Sequence, residues 1–183
     1  ELLLSVLVQL GRFLKDSHNP EQILMQFERF ILNSDSDDEL IEGLLFNPQH
    51  IGILVDVFSQ SVFLGDFVSV HPKVFYDVIV NSSLDVKKGT EAYYEELCHT
   101  ASLALSLDES IERICWYRNR EYLRIAIRDF SMGVDLEVVT DEISSLSKSI
   151  VDVVYKTIFS FSEEEAAEFV KNRKRDNSLG TCT

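Results

Sequence analysis

Each of the three prolines in this chain directly follows a residue that can end or cap a helix: Asn19-Pro20, Asn47-Pro48 and His71-Pro72. Proline lacks a backbone N–H and has φ fixed near the helical value, so it suits the first helical turn and breaks a helix interior. The three pairs therefore mark helix starts or corners, and the stretches between them have little to interrupt a helix. Seven glycines and three prolines in 183 residues amount to roughly half the usual share of these residues. A many-turned β fold would need more. The expected fold class is all-α, a multi-helix bundle of about eight to ten helices.

Further punctuation sets the order of elements. Asn19 offers an amide cap with Gln22 at the capping-box position, and Ile23, Leu24, Phe27, Phe30 and Ile31 then share a helical face. Ser36-Asp37-Asp38-Glu39 reads as a second capping box, opening a short helix through Leu45. Asn47 opens a helix carrying Ile51, Leu54, Val55 and Phe58, and Ser61 opens one carrying Phe63, Leu64, Phe67 and Val68. Residues 81–89 read as the one substantial internal loop. Thr90 begins a helix to about Leu107, and Asp108 caps a long one to Met132 with Gly133 as its stop. Asp135 opens the next, with Val139, Ile143, Leu146, Ile150, Val153 and Ile158 on its apolar side, and Ser162 with Glu165 forms a last capping box. No internal repeat is visible. We expect a single helical domain over residues 1–183, with helical hairpins over 19–80 and longer helices over 90–175.

Charge narrows the function classes. Seventeen basic and thirty-one acidic residues give a net charge of −14 and a pI near 4.6, which argues against a nucleic-acid or anionic-membrane partner. An apolar share of 45%, with 10% aromatic, excludes disorder along most of the length. Cys98, Cys115 and Cys182 have no disulfide or zinc spacing, which fits a reducing cytoplasm. The apolar opening from Leu2 to Val8 has no basic segment before it and is a poor signal peptide. A start at Glu1 without Met, and an end on the loop-like Leu179-Gly180-Thr181, suggest a piece of a longer protein.

The stretch Ile111 to Arg128 departs most from the average. It carries Arg113, Arg118, Arg120, Arg124 and Arg128 against Glu112 and Glu121, so five of the nine arginines of an acidic chain fall on one helix. The same helix is apolar on several sides: Trp116, Leu123, Ile127 and Phe130 form one stripe, while Ile114, Cys115, Tyr122 and Ile125 fall on others. Such a helix is packed on more than one side, and its arginines must snorkel, pair with carboxylates or face a partner. Arg120, Arg124 and Arg128 share a face. Two readings stay open: a core helix whose arginines bind surrounding acids, or a face that docks a neighbouring domain or phosphates.

Other candidates are weaker. The nearest glycines are Gly43 and Gly52, so no glycine-rich phosphate loop exists. Asp35-Ser36-Asp37-Asp38 superficially resembles a metal-binding pair but doubles as a helix cap between helices. His18, His50, His71 and His99 lack metal-ligand spacing, and Cys98-His99 with Cys115 reads as ordinary buried thiols more readily than as a nucleophile pair. The basic run Lys171-Asn172-Arg173-Lys174-Arg175 reads as a solvated helix end.

The order Pro20-Glu21, Phe27-Glu28-Arg29-Phe30, Asn47-Pro48, Val57-Phe58-Ser59-Gln60-Ser61-Val62-Phe63-Leu64-Gly65-Asp66 and His71-Pro72 resembles the helical segment of the glutamate-ammonia-ligase adenylyltransferase family. Tyr117-Arg118-Asn119-Arg120-Glu121-Tyr122-Leu123-Arg124-Ile125-Ala126-Ile127-Arg128-Asp129 is similar to that family's arginine-rich helix, with Asn119 where the family has a basic residue. Ile143-Ser144-Ser145-Leu146-Ser147 resembles the helix that follows it. The likeness runs from about residue 19 to 158. It implies a cytosolic bifunctional enzyme with two nucleotidyltransferase cores, one attaching AMP from ATP to a tyrosine of glutamine synthetase and one removing it by phosphorolysis. Glutamine and the PII signalling protein would control the balance. The resemblance places Mg²⁺ on a Ser-x-Asp motif behind a Gly-Lys-x-Gly-Gly turn, and this chain has no such turn. Its helices resemble the lead-in to the AMP-removing half, although the other half has a similar lead-in.

The expectation is a helical scaffold, not catalytic by itself, with no catalytic, cofactor or metal residues of its own. Mg²⁺ and ATP would serve the core outside the chain. Its partners would be that core, glutamine synthetase and PII. Arg118, Arg120, Arg124 and Arg128 are the candidate face toward the core. The rival is a stand-alone α-helical module that binds a protein through its acidic surface.

Overall fold

A computed structural model describes residues 2–15, 17, 19–34, 42–44, 47–82 and 84–160. The capping boxes at Ser36 and Ser162, the Asp35–Asp38 cluster, His18, Cys182 and the basic run from Lys171 lie outside these residues. Among the described residues there are eight helices of nine or more residues and no strand. They are α1 (Leu2–Leu14), α2 (Pro20–Asn33), α3 (Pro48–Gln60), α4 (Val62–Val70), α5 (Pro72–Asn81), α6 (Thr90–Ser102), α7 (Leu107–Phe130) and α8 (Leu136–Ser160). The all-α reading holds. None of these helices is long and apolar enough to cross a membrane.

The chain divides into two compact units, Glu1–Lys87 with Asn119–Thr140, and Lys88–Arg118 with Asp141–Thr183. In the first unit, α2 packs on α3, α4 and α5, while α1 lies against α3. Its core is aromatic at the centre. The Phe30 ring meets Phe27, Phe58 and Phe75 at centroid separations of 6.3, 6.4 and 6.0 Å, and Val6, Ile51, Leu54, Val68 and Val78 fill in around them. Edge-to-face and offset rings gain beyond their buried area. The C-terminal part of α7 contributes Leu123, Ala126 and Ile127 to the same core. In the second unit, Tyr93 and Leu97 of α6, Ile114 and Tyr117 of α7, and Leu146 and Val153 of α8 are buried.

Several local expectations shift. Leu24 and Phe63 are exposed at 45% and 55%, and Gln26 takes the inward position on α2. There it lies so close to Gly65 that a Cβ on that glycine would stand 2.5 Å from Gln26 Nε2. The missing side chain lets α2 and α4 approach. Asn47 Oδ1 accepts from Gln49 N at 3.1 Å and Ser61 Oγ from Leu64 N at 3.2 Å, so both act as caps. Asn19 does not cap the backbone; its amide donates to Gln22 Oε1 at 2.8 Å, the two side chains satisfying each other. The cap of α7 is Ser106 rather than Asp108: Ser106 Oγ accepts from Glu109 N at 3.2 Å, and Glu109 returns to Leu105 N at 2.8 Å. That reciprocal pair starts the helix earlier, leaves Asp108 in its first turn, and ends α6 at Ser102. Glycine at 133 adopts φ 62, a left-handed conformation that costs other residues strain, and Val134 N–H closes back on the Arg128 carbonyl.

Candidate functional site

Three of the arginines on α7 converge on one stretch of the first unit. Arg120 donates through Nε to Asp77 Oδ2 at 2.9 Å, through Nη1 to Glu121 Oε1 at 2.6 Å and through Nη2 to Ser82 Oγ at 3.0 Å. Arg124 donates to Glu121 Oε2 at 2.7 Å and to the Val86 carbonyl at 3.2 Å. Arg128 donates to the Leu84 carbonyl. The spacing of four along the helix thus meets acceptors at residues 82, 84 and 86, in the loop that follows α5. A loop with no helical or sheet partner for its carbonyls is satisfied by guanidinium forks.

Burial sharpens the geometry. Arg124 and Glu121 are both fully buried, and Arg128 nearly so. Charges removed from water need paired, hydrogen-bonded surroundings. Glu121, with both oxygens occupied by arginines, supplies that pairing. Burial pushes the Asp77 carboxyl upward, but hydrogen bonds from Asn81 and Arg120 and the Arg120 charge outweigh it and hold Asp77 below its ordinary value. Arg118 is half-buried, as is Arg120, and Arg113 makes a partly exposed pair with Glu109 at 2.8 Å.

A second polar cluster lies inside the second unit, and the sequence reading passed over it. Glu142, fully buried on α8, accepts from Lys88 N at 3.0 Å and from the Tyr93 hydroxyl at 3.4 Å. Glu96 Oε2 accepts from the Tyr117 hydroxyl at 2.6 Å and from Lys88 Nζ at 2.7 Å. Ser149 lies 2.9 Å from the Thr90 carbonyl. The signal was positional: Glu142 and Ser149 fall on the seam of Val139, Leu146 and Val153, whereas Ile143 on the flank is exposed.

The remaining candidates stay apart. His50 lies 3.1 Å from both the Gly43 carbonyl and Asn47 Nδ2. His71 lies with its ring 5.2 Å from that of Phe67 and tilted by 58°, and burial lowers its pKa. His99 is exposed, and Cys98 and Cys115 are half-buried free thiols. Cys98 lines a cavity of about 330 Å³ with Lys156 and Thr157. Among the described residues no three His, Cys, Asp or Glu side chains gather as metal ligands.

The chain matches the glutamate-ammonia ligase adenylyltransferase family over residues 51–180. It is also 20% identical over 139 residues to a bifunctional glutamine synthetase adenylyltransferase/adenylyl-removing enzyme of Pseudomonas putida. That alignment covers 76% of this chain and 14% of the relative. No solved structure matches. The family match takes in the arginine-bearing helix, the loop it fastens and most of the remaining helices, so the chain belongs to the glutamate-ammonia ligase adenylyltransferase family.

Proposed function

We propose that this chain is a helical scaffold of an enzyme that adds AMP to glutamine synthetase and removes it, and that it carries out neither reaction by itself. The observation that carries this reading is the use made of the arginines. Arg120, Arg124 and Arg128 are bound to the chain's own carboxylates, hydroxyl and carbonyls, an arrangement that fixes a helix and a loop. A guanidinium engaged in this way is a poor phosphate ligand, because each donor would first have to give up a charge-assisted bond. Of the four arginines proposed to face the catalytic core, Arg118 and Arg120 keep partial exposure. Arg124 and Arg128 would act from behind, by holding the surrounding structure in place. Mg²⁺ and ATP belong to the core, and glutamine synthetase and PII are partners of the whole enzyme.

The test is turnover by the isolated chain. Supplied with Mg²⁺, ATP and glutamine synthetase, it should transfer no AMP. Supplied with phosphate and adenylylated glutamine synthetase, it should release no ADP. Metal-dependent turnover in either assay would contradict the scaffold reading.

A further inference from the structure

Two exposed helical rows run side by side in the first unit. On α2 the positions 21, 25, 28 and 32 recur at helical spacing and place Glu21, Met25, Glu28 and Leu32 on the outer face. On α4 the row is Val62, Asp66 and Val70. The rows are tied together by Arg29 Nη1 on Asp66 Oδ1 at 2.9 Å and by Asn33 Nδ2 on the Ser69 carbonyl at 3.0 Å. Between them lies the close approach of Gln26 to Gly65. Met25, Leu32, Val62 and Val70 remain 58%, 72%, 63% and 42% exposed around the ion pair.

We propose that this α2–α4 surface is an intramolecular docking face, covered in the full-length enzyme by another domain of the same polypeptide. The inference rests on the reading of the chain as part of a larger adenylyltransferase, and it adds the surface and the chemistry of what covers it. Three features select the occupant. The side chains of the two rows are Met, Leu and Val, and Leu24 and Phe63 on the same helices are exposed as well, apolar groups of the kind that the core of an interface buries. Met25, Leu32 and Val62 are each more than half exposed, apolar area that a partner would remove from water. The curated relative is far longer than this chain, which spans 14% of it, so a permanent partner is available in the same molecule. Charge specifies the facing surface. Glu21, Glu28 and Asp66 outnumber Arg29, so the occupant presents an apolar ridge flanked by Lys or Arg.

Cysteine labelling in the full-length enzyme tests this. Leu32→Cys and Val62→Cys are made singly, with other reactive cysteines replaced, and compared with Gln49→Cys at an exposed position on α3. A maleimide should label residues 32 and 62 about tenfold or more slowly than residue 49 in the enzyme alone, because access requires opening of the interface. Equal rates at all three positions would overturn the proposal. So would slowing that arises only after glutamine synthetase is added, because the face would then be a substrate-docking surface. Either failure would leave the turnover test of the isolated chain untouched.

Discussion

At the residue scale, the decisive contrast is between arginines that look alike in the sequence. Arg113 and Arg124 both stand within helical reach of a glutamate, yet the Arg113–Glu109 pair is open to solvent on one side, at 41% and 36% side-chain exposure, while Arg124 and Glu121 are completely buried. Exposed pairs contribute little, whereas removing one partner of a buried pair leaves an uncompensated charge. Arg124→Ala should therefore destabilise the protein by about 3 kcal/mol or more, and Arg113→Ala by about 1 kcal/mol or less, read as shifts in the urea midpoint. Similar shifts would mean that burial is not what distinguishes them. The sequence made the clustering of these side chains visible but not their partners. Asp77, Ser82 and the carbonyls of Leu84 and Val86 lie about forty residues away, and nothing in local spacing points to them. Glu142 was hidden for a different reason. A carboxylate on an apolar seam reads as a surface residue until the Lys88 N–H and Tyr93 hydroxyl that satisfy it are known.

At the scale of elements, proline and capping signals placed helices well where a side chain had no better partner. Asn47 and Ser61 cap as their sequence context suggests. Asn19 finds Gln22 instead, and at α7 the reciprocal Ser106–Glu109 arrangement displaces Asp108 from the cap. Both outcomes turn on local competition among side chains, which a one-dimensional pattern ranks poorly. The helix start gives a clean test. Ser106→Ala should cost about 1 kcal/mol of stability, as loss of a cap does, while Asp108→Ala, losing only a favourable charge in the first turn, should cost about 0.5 kcal/mol. Thermal unfolding of the two variants decides between the two cap assignments, and the reverse order would restore Asp108.

For the whole molecule, scarcity of chain breakers made the all-α class legible, and the ordered segments from Pro20 to Leu146 made the family legible. The division into two compact units was not, because it falls within continuous helices: α7 passes from one unit to the other between Arg118 and Asn119. Helical periodicity carries no mark at such a point. On the scaffold function proposed above, the arginine-rich helix is an internal brace and its guanidinium groups take no part in chemistry. The most direct measurement is AMP transfer and phosphorolysis by full-length enzyme carrying Glu121→Met and Arg124→Met together, alongside its urea midpoint. Replacing a buried ion pair by packed apolar side chains is often close to neutral, but here it also leaves Arg120 Nη1 and the Val86 carbonyl without these partners, so the urea midpoint should fall while both activities of the folded enzyme stay near those of the unmodified enzyme. A variant that is folded under the assay conditions yet has lost either activity would contradict the brace.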